Sequence, residues 1–227
     1  MCFSRSYSMV LKAVFFDFDG TLANTDPVHL AMFAELLAPQ GIQVDEAYFR
    51  ENIAGGSNRE LFKRFFPGIS DKEANDMSEK KEEDFRKRVT SLEPISGLEK
   101  VLSWSREHHL RLALITNAPK SNIDYLLPLL GLSDCFEHQI TGDSCKIGKP
   151  QPDPYLMALN LMHLEPENVI VFEDSHTGIS SSRGAGIFTV GLTTTHTPQE
   201  LQQAGANAII SDYNDARLWE ILQNKIL

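Results

Sequence analysis

Cysteine is scarce in this chain: three residues in 227, Cys2, Cys135 and Cys145. The odd count, the wide spacing and the lack of any CxxC pair argue against a disulfide framework. They lead us to expect reduced thiols in the cytoplasm. Long apolar runs are missing as well, so no segment reads as a membrane span. The opening MCFSRSYSM holds one arginine and no apolar core, which argues against a signal peptide. Residues 1–9 are expected to be a flexible extension, with Met9 a second candidate start. Positive charge is in deficit, 21 Lys and Arg against 31 Asp and Glu, net -10. This excludes a general nucleic-acid or anionic-membrane surface, but not a local anion site built from amides, a lysine and a metal. No internal repeat or low-complexity tract stands out. What remains is ordinary globular composition, 42% hydrophobic and 23% charged, over a length that suits one large domain or a domain with an insertion.

Short apolar, β-rich runs recur at Ala13–Phe18, Leu112–Thr116, Val169–Glu173, Phe188–Leu192 and Ala208–Ile210. Helix-like stretches such as Gly97–His108, Ser121–Leu130 and Asp153–Met162 separate most of them. The alternation predicts an α/β fold with a doubly wound parallel sheet and a Rossmann-like core. The unbroken runs VIVF and LALI suit central strands covered on both faces. Residues 27–94 break the alternation and read as a small helical cap inserted after the first strand, bracketed by Pro27 and Pro94. The catalytic core would then comprise 10–26 and 95–227. Within the insert, SEKKEEDFRKRV mixes both signs and reads as a solvated helix face.

Four stretches carry chemistry. In AVFFDFDGTL, Asp17 and Asp19 lie two apart, so they share a face where the strand ends. Bringing two carboxylates together there is unfavourable unless a divalent cation offsets it. Gly20 permits a turn, and Thr21 with the loop amides suits a phosphate or carboxylate. In LALITNAPKSN, Thr116 and Asn117 follow a buried strand and precede a helix start, a setting for a phosphoryl oxygen. In GKPQPDPY, Lys149 is placed to neutralise a carboxylate and a phosphate together, with Lys146 the other candidate. In VIVFEDSHTG, Glu173 and Asp174 end the most apolar strand. Such carboxylates select hard ions, Mg2+ among them.

The motifs DFDGT, Thr116, Lys149 and Glu173-Asp174, in that order, resemble the haloacid dehalogenase superfamily of phosphotransferases. The resemblance runs from about Val10 onward. The helical insert resembles the cap of the beta-phosphoglucomutase, phosphoglycolate phosphatase and sugar-phosphate phosphatase subgroup. It implies Asp17 as nucleophile and Asp19 as general acid and base. It implies Mg2+ held by the Asp17 carboxylate, the Asp19 backbone carbonyl and Asp174, with Glu173 a further ligand or a partner behind the ligands. Thr116 would bind the transferring phosphoryl group, with Asn117 beside it, and Lys149 would bridge nucleophile and phosphate. His29 and Thr25 match hinge positions of the subgroup, where the histidine couples cap closure to the acid/base aspartate; the other reading of His29 faces solvent. Ile53–Phe66, IAGGSNRELFKRFF, resembles the substrate-specificity loop, with Gly55, Gly56, Asn58 and Arg59 as substrate contacts. Ala54 replaces a lysine usual in the mutases and Arg59 is displaced, which weakens a mutase reading. Lys63 is a cap lysine with nothing to mark it as a Schiff-base former.

The expectation is therefore a Mg2+-dependent phosphatase of a small phosphorylated metabolite, such as a sugar phosphate, working through an aspartyl phosphate. The rivals are a phosphomutase of the beta-phosphoglucomutase type and a non-catalytic phosphometabolite-binding protein. A monomer or weak homodimer is expected, with neither nucleic acid nor membrane as partner.

Overall fold

Six strands and ten α-helices follow one another in a computed structural model whose described residues are 10–226. The expected extension at 1–9 lies outside the described residues. Strand β1 (Ala13–Phe16) precedes four helices, α1 (Asp26–Leu37), α2 (Glu46–Asn52), α3 (Asn58–Phe65) and α4 (Asp71–Arg88). Then come α5 (Leu98–Glu107), β2 (Arg111–Ile115), α6 (Lys120–Leu129), β3 (His138–Ile140) and α7 (Asp153–Met162). The chain finishes with β4 (Val169–Glu173), α8 (His176–Gly184), β5 (Phe188–Leu192), α9 (Pro198–Gln203), β6 (Ala208–Ile210) and α10 (Ala216–Ile226). No helix among the described residues is long and apolar enough to cross a membrane.

The strands form one parallel sheet in the order β3-β2-β1-β4-β5-β6. Every residue of β1 and β4 is buried, as strands covered on both faces must be. The two-residue period divides their side chains. Val14, Phe16, Ile170 and Phe172 join the helices α5, α6 and α10 in one apolar layer. Ala13, Phe15, Val169 and Val171 join α7 in the other. In the first layer Phe16 stacks on Phe172 with ring centroids 5.3 Å apart, and Tyr213 meets Phe172 edge-on at 5.2 Å. From β1 the chain steps to β2 and β3, then returns to the other flank of β1 with β4. Ligands of open α/β sheets bind beyond the carboxyl ends at such a reversal.

Two details differ from the sequence expectation. Strand β1 stops at Phe16, because the Phe18 carbonyl accepts from the N–H groups of Thr21 (3.2 Å) and Leu22 (2.8 Å) and turns the chain. Strand β3 has no counterpart in that expectation: it is three residues long, at the sheet edge, with only Ile140 buried. Too few apolar positions exist there to make a pattern.

The helices α1 to α4 pack around an apolar core of their own, including Phe33, Leu37, Phe49, Leu61 and Phe62. Helix α4 opens on a capping box: Ser70 accepts from the Glu73 N–H while the Glu73 carboxylate accepts from the Ser70 N–H. Where the insert leaves and rejoins the sheet layer, Ala23 pairs with Pro94, and the Ile95 N–H donates to Leu22 O at 2.9 Å.

Candidate active site

The tight turn after β1 brings its loop against the end of β4. Gly20 has φ of 70°, and a Cβ there would overlap the Asp174 carboxylate. Only glycine combines that backbone with so close an approach. Asp17 lies just past β1, buried, with Oδ1 accepting from Lys149 Nζ at 2.7 Å. The same ammonium donates to Ile115 O at 2.7 Å and to Glu173 Oε1 at 2.5 Å, so its three protons are all committed. Glu173 also accepts from the Tyr155 hydroxyl at 2.7 Å and the Ser175 hydroxyl at 3.3 Å. Lys149, not Lys146, is the lysine placed at Asp17.

Carboxylate oxygens of Asp17, Glu173 and Asp174 all lie within 4.8 Å of one another. Three buried acids face a single lysine, an excess of negative charge with no solvent to spread it. Burial pushes the Asp17 carboxyl up to about 8, with Lys149 opposing and Glu173 and Asp19 adding to the rise. Burial first, then Asp17, Asp26 and Glu173, drive Asp174 well above the ordinary carboxylate range. Asp174 Oδ1 is buried without a hydrogen-bond partner. An orphaned carboxylate oxygen within a cluster of hard oxygen donors fits a divalent cation such as Mg2+.

Asp19 is handled differently. Its Oδ1 accepts from the Thr25 hydroxyl, and His29 Nε2 stands 3.8 Å away. Lys81 Nζ is 2.8 Å from His29 Nδ1. An ammonium only donates, so Nδ1 accepts and a neutral His29 carries its proton on Nε2, facing Asp19. The His29 ring lies flat on Phe85, centroids 4.3 Å apart. Burial pushes the Asp19 carboxyl up, but the His29 ring, the Thr25 hydroxyl and the Lys81 charge outweigh it and hold it below its ordinary value. Two aspartates two residues apart are thus driven in opposite directions. His29 faces the site rather than solvent.

Lys81 and Glu82 correct the reading of SEKKEEDFRKRV as a solvated face. They are 8% and 5% exposed, and Lys81 Nζ donates to Glu82 Oε1 at 2.8 Å. Both line the cavity above Asp17. A sequence signal existed. Ala74, Ser78, Lys81 and Phe85 follow one another at spacings of four, three and four, which puts a lysine on the buried stripe of α4. Asn122, Asp26 and Thr195 also line the cavity and carried no such signal.

The other candidates divide. Thr116 and Asn117, past β2, line the cavity, as do Gly55, Gly56 and Asn58 of the insert. The Thr116 hydroxyl accepts from the Ala118 N–H at 3.0 Å. Asn117 Oδ1 accepts from the Lys149 N–H at 3.0 Å, and its Nδ2 donates to Lys149 O and to Gly55 O, both at 3.2 Å. It therefore fixes the lysine loop and touches the insert at once. Gly55 O also accepts from the Thr177 hydroxyl at 2.9 Å. Arg59 is not brought to the cavity: it pairs with Asp71 at 2.9 Å, and Lys63 pairs with the same carboxylate. Both sit on the solvent side of α3, 50% and 40% exposed at the side chain. Thr21 is wholly buried and does not line the cavity.

Comparison with known proteins agrees with this geometry. Residues 14–192 match the family described as haloacid dehalogenase-like hydrolase. The chain is 31% identical over 179 residues to the phosphorylated carbohydrates phosphatase of Thermotoga maritima, covering 78% of this chain and 82% of that one. It is similar in structure to a HAD hydrolase, family IA, variant 3, from Entamoeba histolytica, with TM-score 0.83, 27% identity and 95% and 99% of the two chains covered. It is similar also to a beta-phosphoglucomutase from Clostridium difficile, with TM-score 0.82, 26% identity and 95% and 97% covered. A parallel sheet with a helical insert, acids at the ends of its central strands and a match over most of the length lead to one conclusion: the chain belongs to the haloacid dehalogenase-like hydrolase family.

Proposed function

We propose that this hydrolase is a Mg2+-dependent phosphatase of small phosphorylated metabolites, sugar phosphates above all, and that Asp17 carries a transient phosphoryl group. The observation that carries the reading is the buried contact of Asp17 with Lys149, beside Glu173 and Asp174 and facing an Asp19 held by Thr25 and His29. The name of the Thermotoga relative supports the substrate class.

In the first step an Asp17 carboxylate oxygen attacks phosphorus, and the bond from phosphorus to the leaving oxygen breaks. Asp19, whose carboxyl the free site holds below its ordinary value, has to gain a proton as the phosphate dianion binds, and gives that proton to the leaving oxygen. In the second step water attacks phosphorus, Asp19 takes the water's proton, and the bond from Asp17 to phosphorus breaks, releasing phosphate. Burial holds the Asp17 carboxyl up at about 8 in the free site; Lys149 opposes this, and the charge of a bound cation would favour the ionised nucleophile further. The Thr116 hydroxyl binds a phosphoryl oxygen. Asp17, Asp174 and the Asp19 backbone carbonyl would hold Mg2+, with Glu173 behind them anchoring Lys149. The bound cation supplies positive charge that offsets carboxylate–phosphoryl repulsion.

A phosphomutase must grip a second phosphate while its bisphosphate intermediate turns round. Arg59, the cation the sequence offered for that grip, is paired away with Asp71. This favours hydrolysis over the mutase reading. The presence of every side-chain type the chemistry needs favours an enzyme over a binding protein. The test is release of inorganic phosphate from p-nitrophenyl phosphate and from glucose 6-phosphate. Asp17→Asn should abolish both while the protein stays folded. Full activity in that variant would reject Asp17 as nucleophile. Isomerised sugar phosphate without free phosphate would favour the mutase.

A further inference from the structure

Glu82 takes no part in the steps above, yet it is a buried acid in the insert's wall of the same cavity. Its Oε1 accepts from Lys81 Nζ and Asn58 Nδ2, and its Oε2 from Asn122 Nδ2. A carboxylate has about four acceptor sites, so one on Oε2 is left open. Burial pushes the Glu82 carboxyl up, but the Lys81 charge and the hydrogen bonds from Lys81 and Asn122 outweigh it and keep it below its ordinary value. Glu82 is an anion at neutral pH.

The positive charges around it are committed. Among the described residues, those lining the cavity that can be cationic are Lys149, Lys81 and His29. Lys149 is taken by Asp17 and Glu173. The charge of Lys81 is answered by Glu82, and its ammonium also occupies His29 Nδ1. Arg86 lines the neighbouring cleft rather than this cavity, and donates through Nη1 to the neutral Ser121 and Asn122. Away from the phosphoryl end, the wall offers the amides of Asn58, Asn117 and Asn122 and one carboxylate. Its cation there, among the described residues lining the cavity, is Lys81, which Glu82 pairs. A hydroxyl can donate to the open site on Glu82. A carboxylate or second phosphate in the same place would face an acceptor oxygen and find, among the cavity-lining cations, none left unpaired to offset its own charge in a partly desolvated cavity. Leaving a wrong substrate's charge unpaired is one of the ways a site discriminates, alongside new attractions.

We propose that Glu82 is a specificity-determining residue that restricts the site to phosphomonoesters with neutral, hydroxyl-bearing leaving groups and rejects those carrying a second anionic group. The inference rests on the phosphatase reading above. Its test uses the full chain with Mg2+ and two matched pairs of substrates. These are glycerol 3-phosphate against 3-phosphoglycerate, and glucitol 6-phosphate against 6-phosphogluconate. In each pair one terminal CH2OH becomes a carboxylate. Wild-type kcat/KM for phosphate release should favour the neutral member by at least about tenfold, and Glu82→Gln should narrow both ratios at least about fivefold, mainly through KM for the anionic member. Glu82→Asp, which keeps the charge, should retain the preference. Wild-type ratios near one overturn the proposal, as do ratios unmoved in a folded Glu82→Gln protein. Should that variant fail to fold, the wild-type ratios decide alone. A wild type that releases phosphate from none of these compounds, p-nitrophenyl phosphate included, rejects instead the phosphatase reading beneath.

Discussion

Thr25 is a small residue with a large expected effect. Its hydroxyl donates to Asp19 Oδ1 and, with His29, aims that carboxyl. Thr25→Val keeps the shape and removes the donor. General acid–base catalysis contributes about 100- to 10,000-fold, so a misaimed acid should lower kcat on a sugar phosphate by about 10- to 100-fold. p-Nitrophenyl phosphate has a leaving group that needs little protonation and should lose much less. Equal losses on both would place Thr25 in folding rather than in aiming. Glu82 gives a pH prediction at the same scale. Its folded carboxyl lies below its ordinary value, so the unfolded chain binds the proton more readily. The stability it contributes is present above the unfolded value, near 4.3, and is lost as pH falls through the lower folded value. Glu82→Gln should flatten the acid limb of Tm against pH in that window; an unchanged limb would assign acid unfolding to other groups. Asp17, Asp19, Lys149 and the Glu173-Asp174 pair were legible because their motifs are local: two residues, a glycine, a strand before them. Glu82 was not, because its partners Asn58 and Asn122 are 24 and 40 positions away.

Helices carry the next level of order. The amino terminus of α4 is set by the Ser70–Glu73 box, far from the chemistry. Ser70→Ala should cost about 1 kcal/mol, and lower Tm by about 2–4 °C in a protein of this size. Thermal denaturation checks the first effect, and an unchanged kcat checks that the helix start acts on stability alone. The other end of α4 shows why its sequence misled. Mixed charges from Ser78 to Val89 are mostly solvated and paired along the helix, as Lys80 with Asp84 and Lys87 with Glu83. The stripe through Lys81 and Phe85 is buried nonetheless. A charge average hides a single face, whereas helical period exposes it. Strand β4 matched its expected span because an unbroken apolar run identifies a covered strand. Strand β3 escaped because an edge strand of three residues needs no such run.

At the scale of the whole molecule, the parallel sheet gathers residues more than 150 positions apart into one pocket. The cation fit makes a prediction that belongs here. Three acids with one lysine are a standing repulsion that a bound dication relieves, so Mg2+ should raise Tm as the logarithm of one plus the ratio of free Mg2+ to Kd. EDTA should silence phosphate release and Mg2+ should restore it. Asp174→Asn should blunt both responses. Activity in metal-free buffer, with a Tm indifferent to Mg2+, would remove the cation from the account. The tip of the insert meets the sheet layer through hydrogen bonds, where Gly55 O accepts from Asn117 and Thr177.

Local order was determined by the sequence itself. Apolar runs dictate strands, strand ends dictate where acids emerge, and the chain order of the motifs dictates the family, because each of these depends on neighbours along the chain. Only the tertiary structure decided which charges meet. It turned Arg59 outward to Asp71, turned Lys81 and Glu82 inward from a helix that looks solvated, and left Asp174 Oδ1 without a partner. Ion pairing and desolvation depend on distance in space and on the loss of water, and neither is written in the spacing of residues along a chain.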